Sequence, residues 1–295
     1  MLQERGDRAL NAVINTFLVL LGICVLYPLW YVLICSFSNP SDIALGRVIF
    51  WISGYNLEGY KEMLQYTDLW VGYANTIFYT AVATIIGLTL QLSAAYAMTR
   101  RNVPFRSWIN MFFLITMYFS GGTIPTYMLM DSFGWVNTRW VMMIPGCFSV
   151  WNMIVARSYF VSSIPESLFD AAQIDGCSYI RFFVKVVLPL SSAIIAIIAL
   201  YNIQGHWNSY MTGKIYLQDT KYFSLMQILD GIQSAAKQFA QGDAIIDADA
   251  MVQAENRAKL LRYTTVIVAA VPMIAAYPVV QKYFVKGVMV GSVKG

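Results

Sequence analysis

Residues 162–190 read SSIPESLFDAAQIDGCSYIRFFVKVVLPL, a polar interruption in an otherwise apolar chain. Ser163 and Glu166 have the spacing of a capping box at a helix start. The helix that follows is predicted to end near Ile174. Asp175 and Gly176 come next, and glycine readily adopts the positive φ that a sharp turn requires.

The second half of this stretch predicts another short helix. Ser178 can cap its start, and Leu188-Pro189 mark the entry to a long apolar segment. The whole stretch is therefore predicted to form a helix–turn–helix at the edge of the molecule. The first helix carries an apolar ridge suited to a groove on another protein, formed by Leu168, Phe169 and Ala172.

The rest of the chain has the composition of a membrane protein. Of its 295 residues, 58% are hydrophobic and 12% are charged, whereas soluble domains carry roughly 25% charged residues. We therefore predict a single all-α integral membrane domain over residues 1–295. Six stretches are long enough to cross a bilayer, which takes about 20 residues: 12–36, 73–98, 108–130, 140–156, 188–205 and 263–281.

The lysines and arginines between these spans predict the orientation of the chain. With a cytosolic N-terminus, the cytosolic connections and ends hold eleven of them, and the two shorter outer loops hold three. The long outer loop 206–262 carries six more, but long loops weigh little in the positive-inside rule. Both termini are therefore predicted to be cytosolic.

The six predicted spans contain no Asp, Glu, Lys, Arg or His. Ion-coupled carriers and intramembrane enzymes usually place ionisable groups there, so the pattern argues against both. His206 is the only histidine, and the four cysteines form no CxxC pair. We predict no catalytic residue, no disulfide and no metal site.

The sequence also lacks a nucleotide-binding loop of its own. A P-loop requires G-x-x-x-x-G-K-[ST], but Gly213-Lys214 is followed by Ile215. The chain thus has a membrane path without an energy source. Either transport is passive, or a partner supplies the energy.

The pattern of the 162–190 stretch resembles a known family of transporters. It reads Asp170-Ala171-Ala172, then Asp175-Gly176-Cys177, then Leu188-Pro189. This resembles the E-A-A, D-G-A and L-P pattern of permease subunits in binding-protein-dependent ABC importers, with Asp for Glu and Cys for Ala. The resemblance implies a six-helix type I ABC importer transmembrane domain, whose coupling helix seats in a cleft of the ATPase. The coupling residues that it implies are Ser163, Glu166, Asp170, Ala171, Ala172, Asp175, Gly176, Leu188 and Pro189.

Three further segments resemble the sugar-transporting branch of that family. His206-Trp207-Asn208 is like the W-N motif of that branch, and 119–127 looks like the branch for larger glycans, including uronic-acid oligosaccharides. The tail 283–295 resembles that of the maltose-type second permease. In such relatives the tail reaches the ATPase interface, which here implies Gly291, Val293, Lys294 and Gly295.

The resemblance implies a transporter in the bacterial plasma membrane with several kinds of subunit. This chain would pair with a second permease, two copies of a cytosolic ATPase and an external sugar-binding protein. ATP and magnesium would bind to the ATPase and no cofactor to this chain, and no nucleic acid is implied. Aromatic, amide and hydroxyl groups in or near the spans are candidates for the sugar path: Tyr118, Trp151, Asn152, Asn202, Gln204, Trp207 and Asn208.

Three alternatives stay open at this point. The first is an ABC importer for a non-sugar cargo, which the loop motif alone would allow. The second is an ATP-independent carrier or channel, which would be expected to show charges in its pore or an internal repeat. The third is a membrane enzyme, which would need a reactive group of residues that the sequence does not offer.

Overall fold

The computed structural model describes residues 5–241 and 248–292, with side chains described over 10–238 and 251–278. In these ranges the protein consists of helices and connecting turns, without strands. In chain order the helices begin with α1 (Arg5–Ser36), α2 (Pro40–Ala44), α3 (Glu58–Gln65), α4 (Thr67–Ala97), α5 (Arg106–Tyr118), α6 (Thr123–Ser132), α7 (Trp140–Met143) and α8 (Val150–Ser163). They continue with α9 (Glu166–Ile174), α10 (Tyr179–Phe182), a π-helix (Phe183–Val187), α11 (Leu188–Leu190), α12 (Ser192–Trp207), α13 (Tyr210–Tyr216), a 3₁₀-helix (Thr220–Tyr222), α14 (Leu225–Gln241) and α15 (Ala248–Ser292).

Three single helices in the described ranges are long and apolar enough to cross a membrane. These segments are Leu10–Ser36 of α1, Thr67–Ala97 of α4 and Met251–Pro278 of α15. A fourth span is possible where Tyr179–Leu190 and Ser192–Trp207 form a bent pair with an angle of 84°. The all-helical membrane fold is therefore confirmed.

The predicted count of six spans is not confirmed, because two of the predicted spans are broken. The 108–130 segment is divided at Phe119–Gly122, where Gly122 has a φ of 85° and precedes the first turn of α6. The 140–156 segment is divided between Met143 and Val150. Each half is shorter than the roughly 20 residues that a single helix needs to cross a bilayer.

By its internal contacts the chain divides into two compact units. The first comprises the described parts of Met1–Thr67 and Leu229–Val271, and the second those of Asp68–Ile228 and Pro272–Gly295. The expectation of a single domain over the whole chain stays a prediction.

In the first unit, the end of α1 packs against α15. Ile34 and Cys35 are buried there, and the rings of Tyr31 and Tyr263 meet edge to face at 6.3 Å. The rest of α1 is open, since its apolar segment is only 6% buried within the chain. A helix that lies in lipid can remain this exposed, because the surrounding hydrocarbon is as apolar as its side chains.

In the second unit, α4, α8, α10 and α12 surround one core. The largest buried cluster includes Leu92, Ala95, Tyr96, Met153, Phe160, Phe182, Ile194 and Ile198. Gly87 allows the close approach of α4 to the turn before α8. A Cβ at this position would lie 2.3 Å from the carbonyl oxygen of Cys147 and 3.0 Å from Nδ2 of Asn202. Only glycine fits there without a shift of the neighbouring backbone.

Candidate functional site

Helix α9 and the turn after it form as the sequence predicts. The helix ends at Ile174, and Gly176 follows with a φ of 70°. The side chain of Ser178 then accepts a hydrogen bond from the backbone N–H of Arg181, and so caps α10. The predicted helix–turn–helix is confirmed in these elements.

The start of α9 differs from the prediction. Ser163 is the last residue of α8 and not the cap of the next helix. The N-cap position of α9 is occupied by Pro165, which provides no side-chain hydrogen bond. The predicted capping box of Ser163 and Glu166 is therefore wrong, because α8 continues through the residue that would have supplied the cap.

A cluster of aromatic rings and one guanidinium fixes α9 to the body of its unit. We call Tyr96, Arg100, Phe169, Tyr179 and Phe182 the α9 anchor. Arg100 lies over the ring of Phe169 at 4.3 Å and over that of Tyr96 at 5.0 Å. The ring of Phe169 also meets those of Phe182 at 5.2 Å and Tyr179 at 5.4 Å. Cation–π and ring contacts of this kind favour one position for the helix.

Polar contacts reinforce the α9 anchor. The hydroxyl of Tyr96 donates to the backbone oxygen of Tyr179 at 3.2 Å, and Nδ2 of Asn102 donates to the hydroxyl of Tyr179 at 2.8 Å. Nη2 of Arg101 lies 2.8 Å from Oε2 of Glu166, in an ion pair that is open to solvent. Sequence reasoning used these arginines only for orientation and missed their part in holding α9.

The predicted apolar ridge is divided between the core and the surface. Phe169 and Ala172 are half-buried, and each packs in part against the core of the chain itself. Leu168 is exposed, and Ile174 at the end of α9 is 88% exposed. The contact of the ridge with a groove on a partner stays a prediction, and the sequence did not reveal that two of its members also face the chain's own core.

Most of the predicted coupling residues lie on the surface of this region. The exposed members are Glu166, Asp170, Ala171, Asp175, Gly176 and Pro189. Ser163 and Leu188 are half-buried, and Leu188 packs against the same core as Ala172. Their contact with an ATPase stays a prediction.

A second polar group of side chains is buried between α4, α8 and α12. We call Gln91, Asn152 and Asn202 the amide cluster; each is at most 6% exposed. Nε2 of Gln91 donates to the backbone oxygen of Cys147 at 2.9 Å and to Oδ1 of Asn202 at 3.3 Å. Nδ2 of Asn152 donates to the same Oδ1 at 3.2 Å. Buried amides need such partners, because an unpaired polar group in a core is costly.

The amide cluster borders a cavity of about 360 Å³. Asn152 and Asn202 reach this cavity, together with the ring of Tyr201 and the side chains of Ser149 and His206. Amides, hydroxyls and an aromatic face are the groups that bind sugars. The structure thus brings together two of the predicted path residues, while Gln91 behind them was missed. A lone amide in an apolar span was the signal that could have revealed it.

The other predicted path residues lie elsewhere. Tyr118, Trp151, Gln204 and Asn208 are exposed, and Trp207 is buried. The residues that line the cavity in the described chain do not include these five. Their part in a sugar path stays a prediction.

The predicted tail contact cannot be placed. Gly291 belongs to the last turn of α15. Val293, Lys294 and Gly295 lie outside the described residues.

Comparison with known proteins gives consistent matches over the whole chain. The family described as "Binding-protein-dependent transport system inner membrane component" matches residues 2–290. The polygalacturonan/rhamnogalacturonan transport system permease protein YtcP of Bacillus subtilis (strain 168) is 30% identical over 289 residues, which cover 98% of this chain and 99% of the relative. Protein LplC of the same organism is 30% identical over 295 residues, with coverage of 100% and 98%.

A solved structure matches as well. It is the crystal structure of a bacterial ABC transporter involved in the import of the acidic polysaccharide alginate. One of its chains superposes with a TM-score of 0.80 at 27% identity. The match covers 96% of this chain and 99% of that one.

Proposed function

The chain belongs to the family of binding-protein-dependent transport system inner membrane components, and from this premise we propose that it is a permease subunit of an ABC importer for oligosaccharides. Membership makes it a non-catalytic transport subunit of an inner membrane. It also implies a second permease, an ATPase and an external binding protein as partners.

The observation that carries this proposal is the α9 anchor. A helix that transmits force must be exposed on one side and fixed on the other. Ile174 and Ala171 are exposed, whereas Phe169 is held between Arg100 and Phe182. A displacement of α9 by a partner is therefore passed to the core of α4, α8 and α12.

We infer that the partner is a cytosolic ATPase, present in two copies, one under each permease of a heterodimer. ATP and magnesium bind to the ATPase, because the present chain has no P-loop. The distribution of lysine and arginine supports cytosolic termini and a cytosolic α9. The motion is alternating access, in which closure of the ATPase pair turns the permeases from inward-facing to outward-facing.

We infer further that the cargo is an oligosaccharide and that uronic-acid oligosaccharides are the class to test first. The names of two similar proteins support this, since one concerns polygalacturonan and rhamnogalacturonan and the other the acidic polysaccharide alginate. The cavity beside the amide cluster offers neutral hydrogen-bonding groups. Amide N–H groups can donate to hydroxyl or carboxylate oxygens of such a sugar.

The experiment begins with purification of the transporter in mild detergent and identification of the chains that co-purify. The complex is then reconstituted, and ATP hydrolysis is measured with the binding protein, empty or loaded with oligogalacturonate, alginate oligosaccharide or maltodextrin. We expect a second permease, a P-loop ATPase and hydrolysis that the loaded binding protein stimulates. Gly176→Ala serves as the uncoupled variant, because its φ of 70° disfavours any side chain.

Two results would contradict the proposal. Stimulation by a non-sugar ligand alone would retain the ABC permease and reject the oligosaccharide cargo. A homo-oligomer that moves solute without ATP would reject the coupling role of α9.

A further inference from the structure

Three arginines line an open cavity at the start of α5. Arg101, Arg106 and Arg157 contribute to a space of about 710 Å³. The other residues that line it are Val103, Phe105, Ser107, Trp108 and Asn110. Among the described residues this lining holds no carboxylate, although Glu166 and Asp170 line the adjoining cavity that Arg101 and Arg106 also border. The cavity itself therefore has a surplus of positive charge.

The helix itself adds to this positive character. Arg106 is the first residue of α5, and the capping position before it is held by Phe105, which gives no side-chain hydrogen bond. The first N–H groups of a helix have no partner within the helix, and the helix dipole is positive at this end.

The guanidinium groups are only partly engaged by the protein. Nε of Arg157 donates to the backbone oxygen of Met98 at 3.2 Å, and Arg101 pairs with Glu166 in an exposed contact. Both geometries leave other guanidinium N–H donors available, since each group has five. The cavity can therefore receive an anion without breaking these contacts.

An apolar face begins directly at this cavity and follows α5. Trp108, Met111, Phe112 and Ile115 are spaced as one side of a helix, and all are exposed, Trp108 by 76%. The opposite side of α5 packs on the core, for example through Phe113. A positive pocket thus continues into an apolar strip with a tryptophan at their junction.

We propose that this surface binds an anionic phospholipid of the leaflet that faces α9. The phosphate of the headgroup lies among the three arginines, and an acyl chain follows the apolar strip of α5. Basic pockets at the membrane boundary favour anionic headgroups, and tryptophan is enriched at that depth. A second permease on this strip would account for the apolar residues but not for the surplus of arginines in the cavity beside it.

The same lipid would reach the coupling region. Arg101 lines the lipid cavity and also pairs with Glu166 in the first turn of α9. Arg101 therefore connects the proposed lipid cavity with the start of α9.

The test uses the whole transporter in vesicles and Trp108 as the reporter. Brominated phosphatidylglycerol or brominated phosphatidylcholine is mixed into the vesicles, and quenching of tryptophan fluorescence is measured. Subtraction of the Trp108→Phe transporter isolates the signal of Trp108 from that of the other tryptophans. We expect brominated phosphatidylglycerol to quench Trp108 more strongly than brominated phosphatidylcholine does. Removal of each arginine should lower this preference about fivefold.

Arg106→Gln and the double variant with Arg157→Gln remove the proposed headgroup contacts. Arg157 also donates a hydrogen bond to the backbone, so its loss could prevent assembly of the double variant. In that case Arg106→Gln alone still tests the proposal. Arg181→Gln is the matched control, because it removes an exposed arginine outside the cavity and should leave the preference unchanged.

Each alternative result overturns the proposal in a different way. Absence of quenching by either lipid would show that a protein subunit covers Trp108. Equal quenching by the two lipids would show a lipid-facing strip without a headgroup site. A preference that survives Arg106→Gln and the double variant would show that these arginines do not bind the lipid.

Discussion

The α9 anchor and the amide cluster belong to the same unit of the molecule but differ in their burial and in the kind of contact that they use. The anchor joins an exposed helix to the buried rings of Tyr96 and Phe182, and it uses rings and a guanidinium, with contacts such as Arg100 to Phe169 at 4.3 Å. The amide cluster is buried and uses neutral hydrogen bonds of up to 3.3 Å, as between Gln91 and Asn202. The contacts of the anchor fix a helix, whereas the amides of the cluster can exchange one hydrogen-bond partner for another.

Under the proposed function, this difference would separate transmission from recognition. Rings that pack on several sides resist displacement, so we expect motion of α9 to be passed on to the core. Amides carry both donors and acceptors, so Asn152 and Asn202 can bond to each other or to a sugar at modest cost. Substitutions in the two regions should therefore affect different measurements.

The largest effect on stability is expected at Gly87, where α4 closely approaches the turn before α8 beside the amide cluster. Gly87→Ala would place a methyl group 2.3 Å from the oxygen of Cys147. We expect a loss of about 3 kcal/mol of stability, seen as a lower unfolding temperature of the purified complex. Gly231→Ala in α14, where a Cβ meets nothing within 4 Å, should leave stability unchanged or slightly higher. Equal behaviour of the two variants would contradict the close approach.

The next effect concerns the anchor. Phe169→Ala removes the ring that contacts Arg100, Tyr179 and Phe182. We expect a loss of about 2 kcal/mol, below the range for a fully buried ring, and at least a tenfold loss (~1.4 kcal/mol) of sugar-stimulated ATP hydrolysis. Ile174→Ala should lower the hydrolysis without a change of stability, since Ile174 is exposed. Normal coupling in Phe169→Ala would show that the ring only packs.

A smaller effect is expected for substrate recognition. Asn152→Ala removes a side chain that lines the cavity, and the concentration for half-maximal uptake should rise about tenfold, which corresponds to one hydrogen bond. Val161 is exposed on the same helix and does not line that cavity, so Val161→Ala serves as the control in the same uptake assay. A similar rise in both variants would mean that the sugar path also includes the exposed side of α8.

The smallest effect is expected for the exposed pair of Arg101 and Glu166. Although their atoms lie 2.8 Å apart, both side chains are mostly open to solvent. Solvent screening limits such a pair to about 0.5 kcal/mol. Glu166→Gln should therefore shift the unfolding temperature by less than Phe169→Ala does. A larger shift for Glu166→Gln than for Phe169→Ala would show that the exposed ion pair stabilises the position of α9 more than the ring contacts do.

The two regions also differ in how far the sequence predicts them. The turn at Gly176, the cap at Ser178 and the end of α9 depend on neighbours in sequence, and all three were predicted correctly. The capping box at Ser163 failed because α8 extends further than its pattern suggests. Local signals thus locate short elements well and their first residues less well.

The amide cluster shows why other parts could not be predicted. Gln91 and Asn202 lie on different helices and are joined only by the packing of α4 and α12. No local pattern reveals that Gly87 makes room for this contact. The predicted third and fourth spans are not confirmed as continuous helices for a related reason, because composition reports apolar length but not the breaks at Gly122 and before Val150.

The open first helix has a consequence for the timing of synthesis. Tyr31 of α1 has a ring contact with Tyr263, which is made more than two hundred residues later than α1. At about 5–20 residues per second, Tyr31 waits roughly ten seconds or more for that contact. Until then α1 has its hydrophobicity and the contacts with the segment made directly after it, such as the hydrogen bond that Nε1 of Trp30 donates to the backbone oxygen of Phe50. The length and apolarity of Leu10–Ser36 are therefore requirements of biogenesis, beyond any part the helix has in the finished transporter.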